Sequence, residues 1–177
     1  MKIIPLRVRA SVTARNDTYR YLKTAGDAVL VERGEPRWLM LCCPCGCGEI
    51  FPINLDSRAG PAWVLYRRSK SRFSIFPSVW RESGCRSHYV IWRSQIFLFD
   101  ERDGEFDAQT DTDEVEELTT TVLRSLPVDR LISFSELAKN INAIPWDVLT
   151  VCRRLTRRGL VEEGRGKQQG TFRRLIT

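Results

Sequence analysis

Charge divides this 177-residue chain into three blocks, and that division constrains its fold more than any other feature. Residues 1–99 carry a net +9, residues 100–120 a net −9 with ten acidic residues against Arg102 alone, and residues 121–177 a net +6. A run of like charge repels itself and resists packing. The acidic stretch therefore predicts a boundary: a first domain over 1–99, a linker over 100–112 and a second domain over 113–177. With 42% hydrophobic and 28% charged residues the chain has enough apolar material for packed cores. No apolar run approaches the ~18 residues of a membrane span. The N-terminus is interrupted by Pro5, Arg7 and Arg9, unlike a signal peptide. The expectation is a cytoplasmic protein that does not engage a membrane.

The two basic blocks have different apolar periods. Leu6, Val8, Ala10 and Val12 alternate with polar residues, the period of a half-buried strand. Short apolar runs follow at 28–31, 38–41, 50–53, 62–66 and 73–76, each bounded by turn residues. Residues 89–92 and 96–99 flank Arg93-Ser94-Gln95 as a hairpin would. From Asp113 the spacing becomes helical, with Val115, Leu118, Val122 and Leu126 on one face. Ser133-Phe134-Ser135-Glu136 forms a capping box for a second helix, and Pro145 opens a third carrying Val148, Val151, Cys152 and Leu155. Gly159 after Arg157 and Arg158 ends it, and two short strands surround Gly164–Lys167. The predicted class is α+β, a mostly β first domain followed by three helices and a β-hairpin. That second pattern resembles the winged helix-turn-helix superfamily over residues 113–175.

Four of the six cysteines lie in Cys42-Cys43-Pro44-Cys45-Gly46-Cys47-Gly48. In a reducing compartment such density points to a metal before disulfides, and thiolates suit tetrahedral Zn²⁺. Two ligand registers are open. Cys42 and Cys45 have knuckle spacing, whereas Cys43, Cys45 and Cys47 would point one way along an extended backbone. A fourth ligand would come from Gly84-Cys85-Arg86-Ser87-His88. Cys152 falls on the apolar face of the third helix and reads as a core residue.

His88 is the only histidine. It suits two roles: completing the metal site or packing as a structural ring, and acting as a general base. If Cys85 faces the metal, strand alternation turns Ser87 the same way and His88 the other. That facing disfavours a Ser87–His88 pair and favours Ser78, held after the Phe76-Pro77 turn, as partner of His88. Glu49 is a candidate orienting carboxylate, and Gly46 and Gly48 candidate oxyanion amides.

Cys43-Pro44-Cys45-Gly46-Cys47-Gly48, then Pro77-Ser78-Val79, then Cys85-Arg86-Ser87-His88-Tyr89 resemble one bacterial family with C-x-C-G-C-G, P-S-[IV] and C-R-S-H-[YF]-W-I in that order. The chain departs from it at Val90, where the family often has Trp, and in the extra Cys42. Members of that family, long catalogued as of unknown function, occur beside genes for ubiquitin-like proteins and homologues of their activating and conjugating enzymes. The resemblance covers roughly residues 25–100. It implies a serine peptidase that processes or deconjugates a ubiquitin-like protein, with structural zinc on Cys43, Cys45, Cys47 and Cys85. It leaves Ser78 or Ser87 to act with His88. The winged helix would then dock partners, including the matching activating or conjugating enzymes. The alternatives are a zinc-containing winged-helix regulator that binds nucleic acid through Arg153, Arg154, Arg157, Arg158, Arg165, Lys167, Arg173 and Arg174, and a zinc module that only bridges proteins.

Overall fold

A computed structural model describes residues 1–69, 72–99 and 113–176. The chain divides into two compact units, Met1–Phe106 and Asp107–Thr177. The expected acidic linker, residues 100–112, lies outside the described residues.

Among the described residues the first unit has nine strands: β1 (Lys2–Pro5), β2 (Arg7–Val12), β3 (Asp27–Arg33), β4 (Glu35–Cys42), β5 (Ile50–Asn54), β6 (Val64–Ser69), β7 (Arg72–Trp80), β8 (His88–Trp92) and β9 (Gln95–Phe99). They form a five-stranded sheet in the order β1-β9-β8-β7-β6 and a four-stranded sheet in the order β2-β3-β4-β5. The alternating N-terminal stretch is split at Leu6, so that β1 pairs antiparallel with β9 while β2 pairs parallel with β3. Parallel pairing needs a connection longer than a hairpin. Residues 13–26, with one 3-10 turn at Arg15–Thr18, provide it.

Period-two alternation decides what each face of β3 covers. Ala28 and Leu30 join Leu39, Leu41 and Ile53 against Ile75, Val79, Tyr89, Ile91 and Ile96 of the other sheet, forming the main core. Val29 and Val31 point the opposite way and pack with Leu22, Met40 and Cys42. The β8–β9 hairpin turns on two residues, Arg93 and Ser94, both at positive φ (50° and 59°), so Gln95 belongs to β9 rather than to the loop. Left-handed pairs of this kind match the twist of the flanking strands.

One irregularity positions the site. Between β7 and β8 the register runs Ile75↔Ile91 and then Val79↔Tyr89, so β7 holds two extra residues across Phe76–Ser78. The Phe76–Pro77 bond there is cis. Beyond this bulge the alternation returns: Ser78 is half-buried, Val79 buried and Trp80 exposed.

In the second unit α1 (Asp113–Ser125), β10 (Ile132–Ser133), α2 (Phe134–Asn140), α3 (Pro145–Arg157), β11 (Val161–Glu163) and β12 (Thr171–Arg174) follow in order. The small sheet runs β10-β12-β11. Ser133 caps α2, its Oγ accepting the Glu136 N–H at 3.1 Å, and Pro145 opens α3 as its spacing predicted. Gly159 ends α3 at φ 72°. Val122, Leu126, Leu137, Val148, Val151, Cys152, Leu155 and Phe172 are buried. Cys152 is thus a core residue, its thiol pushed up by burial to about 12.

Candidate functional site

The chain leaves β4 at Cys42 and re-enters the sheet at Ile50, and the seven residues between form a closed loop. The Cys43 N–H donates to the Glu49 carbonyl at 2.9 Å, and the Gly46 N–H to the Cys43 carbonyl at 3.2 Å. Gly46 and Gly48 sit at φ 87° and 81°, where a side chain would strain the backbone although open space surrounds them. These turns correct one expectation. The cysteines converge because the backbone coils, not because an extended strand points three of them one way. The bond from Gly46 also occupies one of the two amides considered for an oxyanion hole.

A second loop, between β7 and β8, meets the first. Arg81 donates its N–H to the Ser87 carbonyl at 3.0 Å, and Gly84 turns at φ 68°. A Cβ on Gly84 would lie 2.9 Å from a Glu49 carboxylate oxygen, which marks how closely the loops approach, while its φ of 68° is what favours glycine there. The result is a sulfur cluster of Cys43, Cys45, Cys47 and Cys85, with all four Sγ atoms within 4.8 Å of one another. Cys43 Sγ lies 3.3 Å from Cys45 Sγ and 3.5 Å from Cys85 Sγ. Cys42 takes no part; it packs in the smaller core with Val29 and Met40.

Four thiolates held at about 2.3 Å from a tetrahedral zinc stand about 3.8 Å apart, so the cluster has the dimensions of such a site. Its surroundings supply donors for sulfur. Arg81 Nη1 is 3.2 Å from Cys85 Sγ and 3.9 Å from Cys47 Sγ. The Ser87 Oγ lies 3.4 Å from Cys43 Sγ and 3.3 Å from Cys85 Sγ. The Tyr89 hydroxyl is buried without a partner among the described residues, and burial together with the adjacent Cys43 thiol pushes its pKa up. Burial would raise Cys85 as well, but bonds from Ser87 and the neighbouring thiols bring it down to about 6. These four cysteines could hold a metal ion, and the donor set is that of a soft one.

Arg81 is the residue that sequence reasoning missed. It pairs with Glu49 and lies over the Phe51 ring at 5.2 Å, fixing its guanidinium against the cluster. No local pattern marks it, since Glu49 and Phe51, which hold its guanidinium, lie thirty or more residues earlier. Glu49 spends its carboxylate on Arg81 and the Cys47 thiol, and not on His88.

The structure separates the two serines. Ser87 is buried and faces sulfur. His88 begins β8 and pairs in register with Trp80, whose strand neighbour two residues earlier is Ser78. Alternation from Ser78 to Trp80 thus puts Ser78 and His88 on one face of the sheet, diagonal to each other across the β7–β8 pair. The Ser78 carbonyl accepts the Trp63 indole N–H at 3.2 Å, which pins the bulge. Among the described residues no hydrogen bond joins His88 to either serine. The imidazole lies between the rings of Trp80 and Phe99, with centroids at 4.8 Å and 5.0 Å. Burial there lowers its pKa from the ordinary value, favouring the neutral ring.

The sulfur cluster, Ser78 and His88 all fall inside one region of sequence similarity. Residues 13–99 match the family described as bacterial ubiquitination-like system serine protease, BubE. No curated protein and no solved structure matches the chain. The BubE match spans the strands from β3 to β9 and ends before the second unit.

Proposed function

We propose that the chain is a serine peptidase that cleaves the bond following the C-terminus of a ubiquitin-like protein, either in a precursor or in a conjugate. The observation that carries this reading is the similarity of residues 13–99 to a serine protease of a bacterial ubiquitination-like system, a segment holding both the cysteine cluster and the Ser78–His88 face. Ser78 is the nucleophile and His88 the general base. The Ser78 hydroxyl oxygen attacks the scissile carbonyl carbon while His88 takes its proton. His88 then protonates the departing amine. Water, deprotonated by the same ring, releases the acyl group from Ser78. Hydrogen bonds between nucleophile and base are often long before substrate binds, so their absence here is compatible with the roles.

Zinc is the metal that fits the four thiols, and Cys43, Cys45, Cys47 and Cys85 would hold it. With four protein ligands it leaves no open position, so its contribution is structural. It would fix the loop that leads into β8, and with it the start of the strand bearing His88. The reading places the protein among reduced cytoplasmic thiols; among the described residues, no helix is long and apolar enough to cross a membrane.

The second unit is read as a winged helix that docks the ubiquitin-like protein or its activating and conjugating enzymes. The order α1-β10-α2-α3-β11-β12, with β12 central in the sheet, supports it. Two of the basic residues that would serve a nucleic-acid role are paired instead. Arg153 bridges to Glu163 at 3.5 Å and Arg173 to Glu162 at 2.6 Å. Duplex DNA affinity that falls steeply with salt and is lost on Arg157→Ala would restore the nucleic-acid reading.

The deciding experiment is cleavage of a ubiquitin-like fusion by Ser78→Ala, Ser87→Ala and His88→Ala, with metal content measured in each. Loss in Ser78→Ala and His88→Ala with metal retained is expected. Loss in Ser87→Ala alone moves the nucleophile, and full activity in all three removes the peptidase.

A further inference from the structure

In a Ser–His–Asp arrangement a carboxylate holds the imidazole in its working orientation. Glu49, the carboxylate that sequence suggested, is engaged at the sulfur cluster. Among the described residues neither nitrogen of His88 has a hydrogen-bond partner. Histidine χ2 is a broad, weakly restrained torsion, so contacts on the ring have to hold it in one orientation.

Two aromatic faces do so. His88 pairs in register with Trp80 on β7 and with Phe99 on β9. Both rings lie nearly parallel to the imidazole, at interplanar angles of 25° and 27°. Covering both faces leaves only the ring edge, which carries the two nitrogens, open to the surroundings. The exposure of Trp80 points the same way. At 66% exposed it contributes little to any core, yet it lays one face on His88.

We propose that Trp80 and Phe99 are positioning residues that clamp His88 in its proton-accepting orientation. The proposal rests on His88 serving as the base. A clamp of uncharged rings restrains the plane of the imidazole without supplying a counter-charge. This agrees with the lowered pKa, since a base must rest neutral to accept the serine proton. Such a device restricts rotation about χ2 but does not select which nitrogen is protonated.

Because the chain has a single histidine, its imidazole proton signals are unambiguous in an NMR spectrum. Trp80 is exposed, so Trp80→Ala leaves the core intact. In wild type, both imidazole protons are expected upfield of a free histidine through the ring currents of the two faces. In Trp80→Ala they move downfield, and kcat for the fusion substrate falls about ten- to a hundredfold at nearly constant KM, the scale of a reacting group displaced by about an ångström. Trp80→Phe restores both the shift and kcat. A raised KM with kcat retained would show that Trp80 contacts substrate and would overturn the proposal. Imidazole signals that do not move in Trp80→Ala would also overturn it. Wild-type protein that cleaves no fusion defeats the peptidase reading; active wild type with an equally active Trp80→Ala defeats the clamp alone.

Discussion

Arg81 shows how much of this site depends on single side chains far apart in the chain. Its guanidinium reaches sulfur from the β7–β8 loop while Glu49 of the β4–β5 loop and Phe51 of β5 hold it. A four-thiolate metal site carries net negative charge, and donors around it typically govern affinity by ten- to a hundredfold. Arg81→Met is therefore expected to release zinc to a chromophoric chelator about tenfold more readily than wild type. The cysteines separate in the same assay. Cys43→Ser should lose the metal, whereas Cys42→Ser should retain one ion per chain and show only about 1 kcal/mol of destabilisation in urea unfolding, from a hydroxyl placed among Val29 and Met40. Asp27 gives a pH signature. It is 1% exposed; burial alone would raise its carboxyl, but the Thr24 N–H, Arg7 and Arg9 together hold it well below the usual range. A depressed carboxylate stabilises the fold above its unfolded pKa, near 3.9, and that contribution fades as pH falls toward the folded value. Asp27→Asn should thus cost about 2 kcal/mol at neutral pH, with the gap from wild type narrowing below pH 4 in thermal unfolding. Of these residues the cysteines were legible in sequence, because ligand chemistry needs several of one rare type close together. Arg81, Tyr89 and Trp80 were not, because an arginine or an aromatic residue is ordinary anywhere until its neighbours are known.

Secondary elements were legible where period and punctuation coincided. The Ser133 cap, Pro145 at the start of α3 and Gly159 at its end are local devices, and each occurs where its spacing indicates. Ser133→Ala should cost about 1 kcal/mol, read as a lower denaturant midpoint with unchanged slope. The strands were legible as apolar runs but not as partners. Nothing local says that β2 joins β3 in parallel while β1, one residue before it, crosses to the other sheet. The two extra residues at Phe76–Ser78 are of the same kind. A bulge is defined against its partner strand, so Pro77 marked a turn without showing that Ser78 would end on the face of His88.

The chain divides into two compact units, Met1–Phe106 and Asp107–Thr177. Within the first unit, two sheets share a core, and the β4–β5 and β7–β8 loops meet at the sulfur cluster. Removing metal with a chelator should accordingly lower the Tm of the intact chain by about 10 °C, since a structural metal contributes directly to folding free energy. Sequence by itself determined the β-rich and helical halves, the acidic run between the basic blocks and the cysteine-rich segment, because charge, period and ligand spacing are properties of neighbouring residues. Only the tertiary structure decided which cysteines converge, that Ser87 faces sulfur and that His88 rests between two aromatic rings. Those contacts join residues brought together by loop closure and strand register, and register is settled by the burial of whole sheet faces rather than by any one segment.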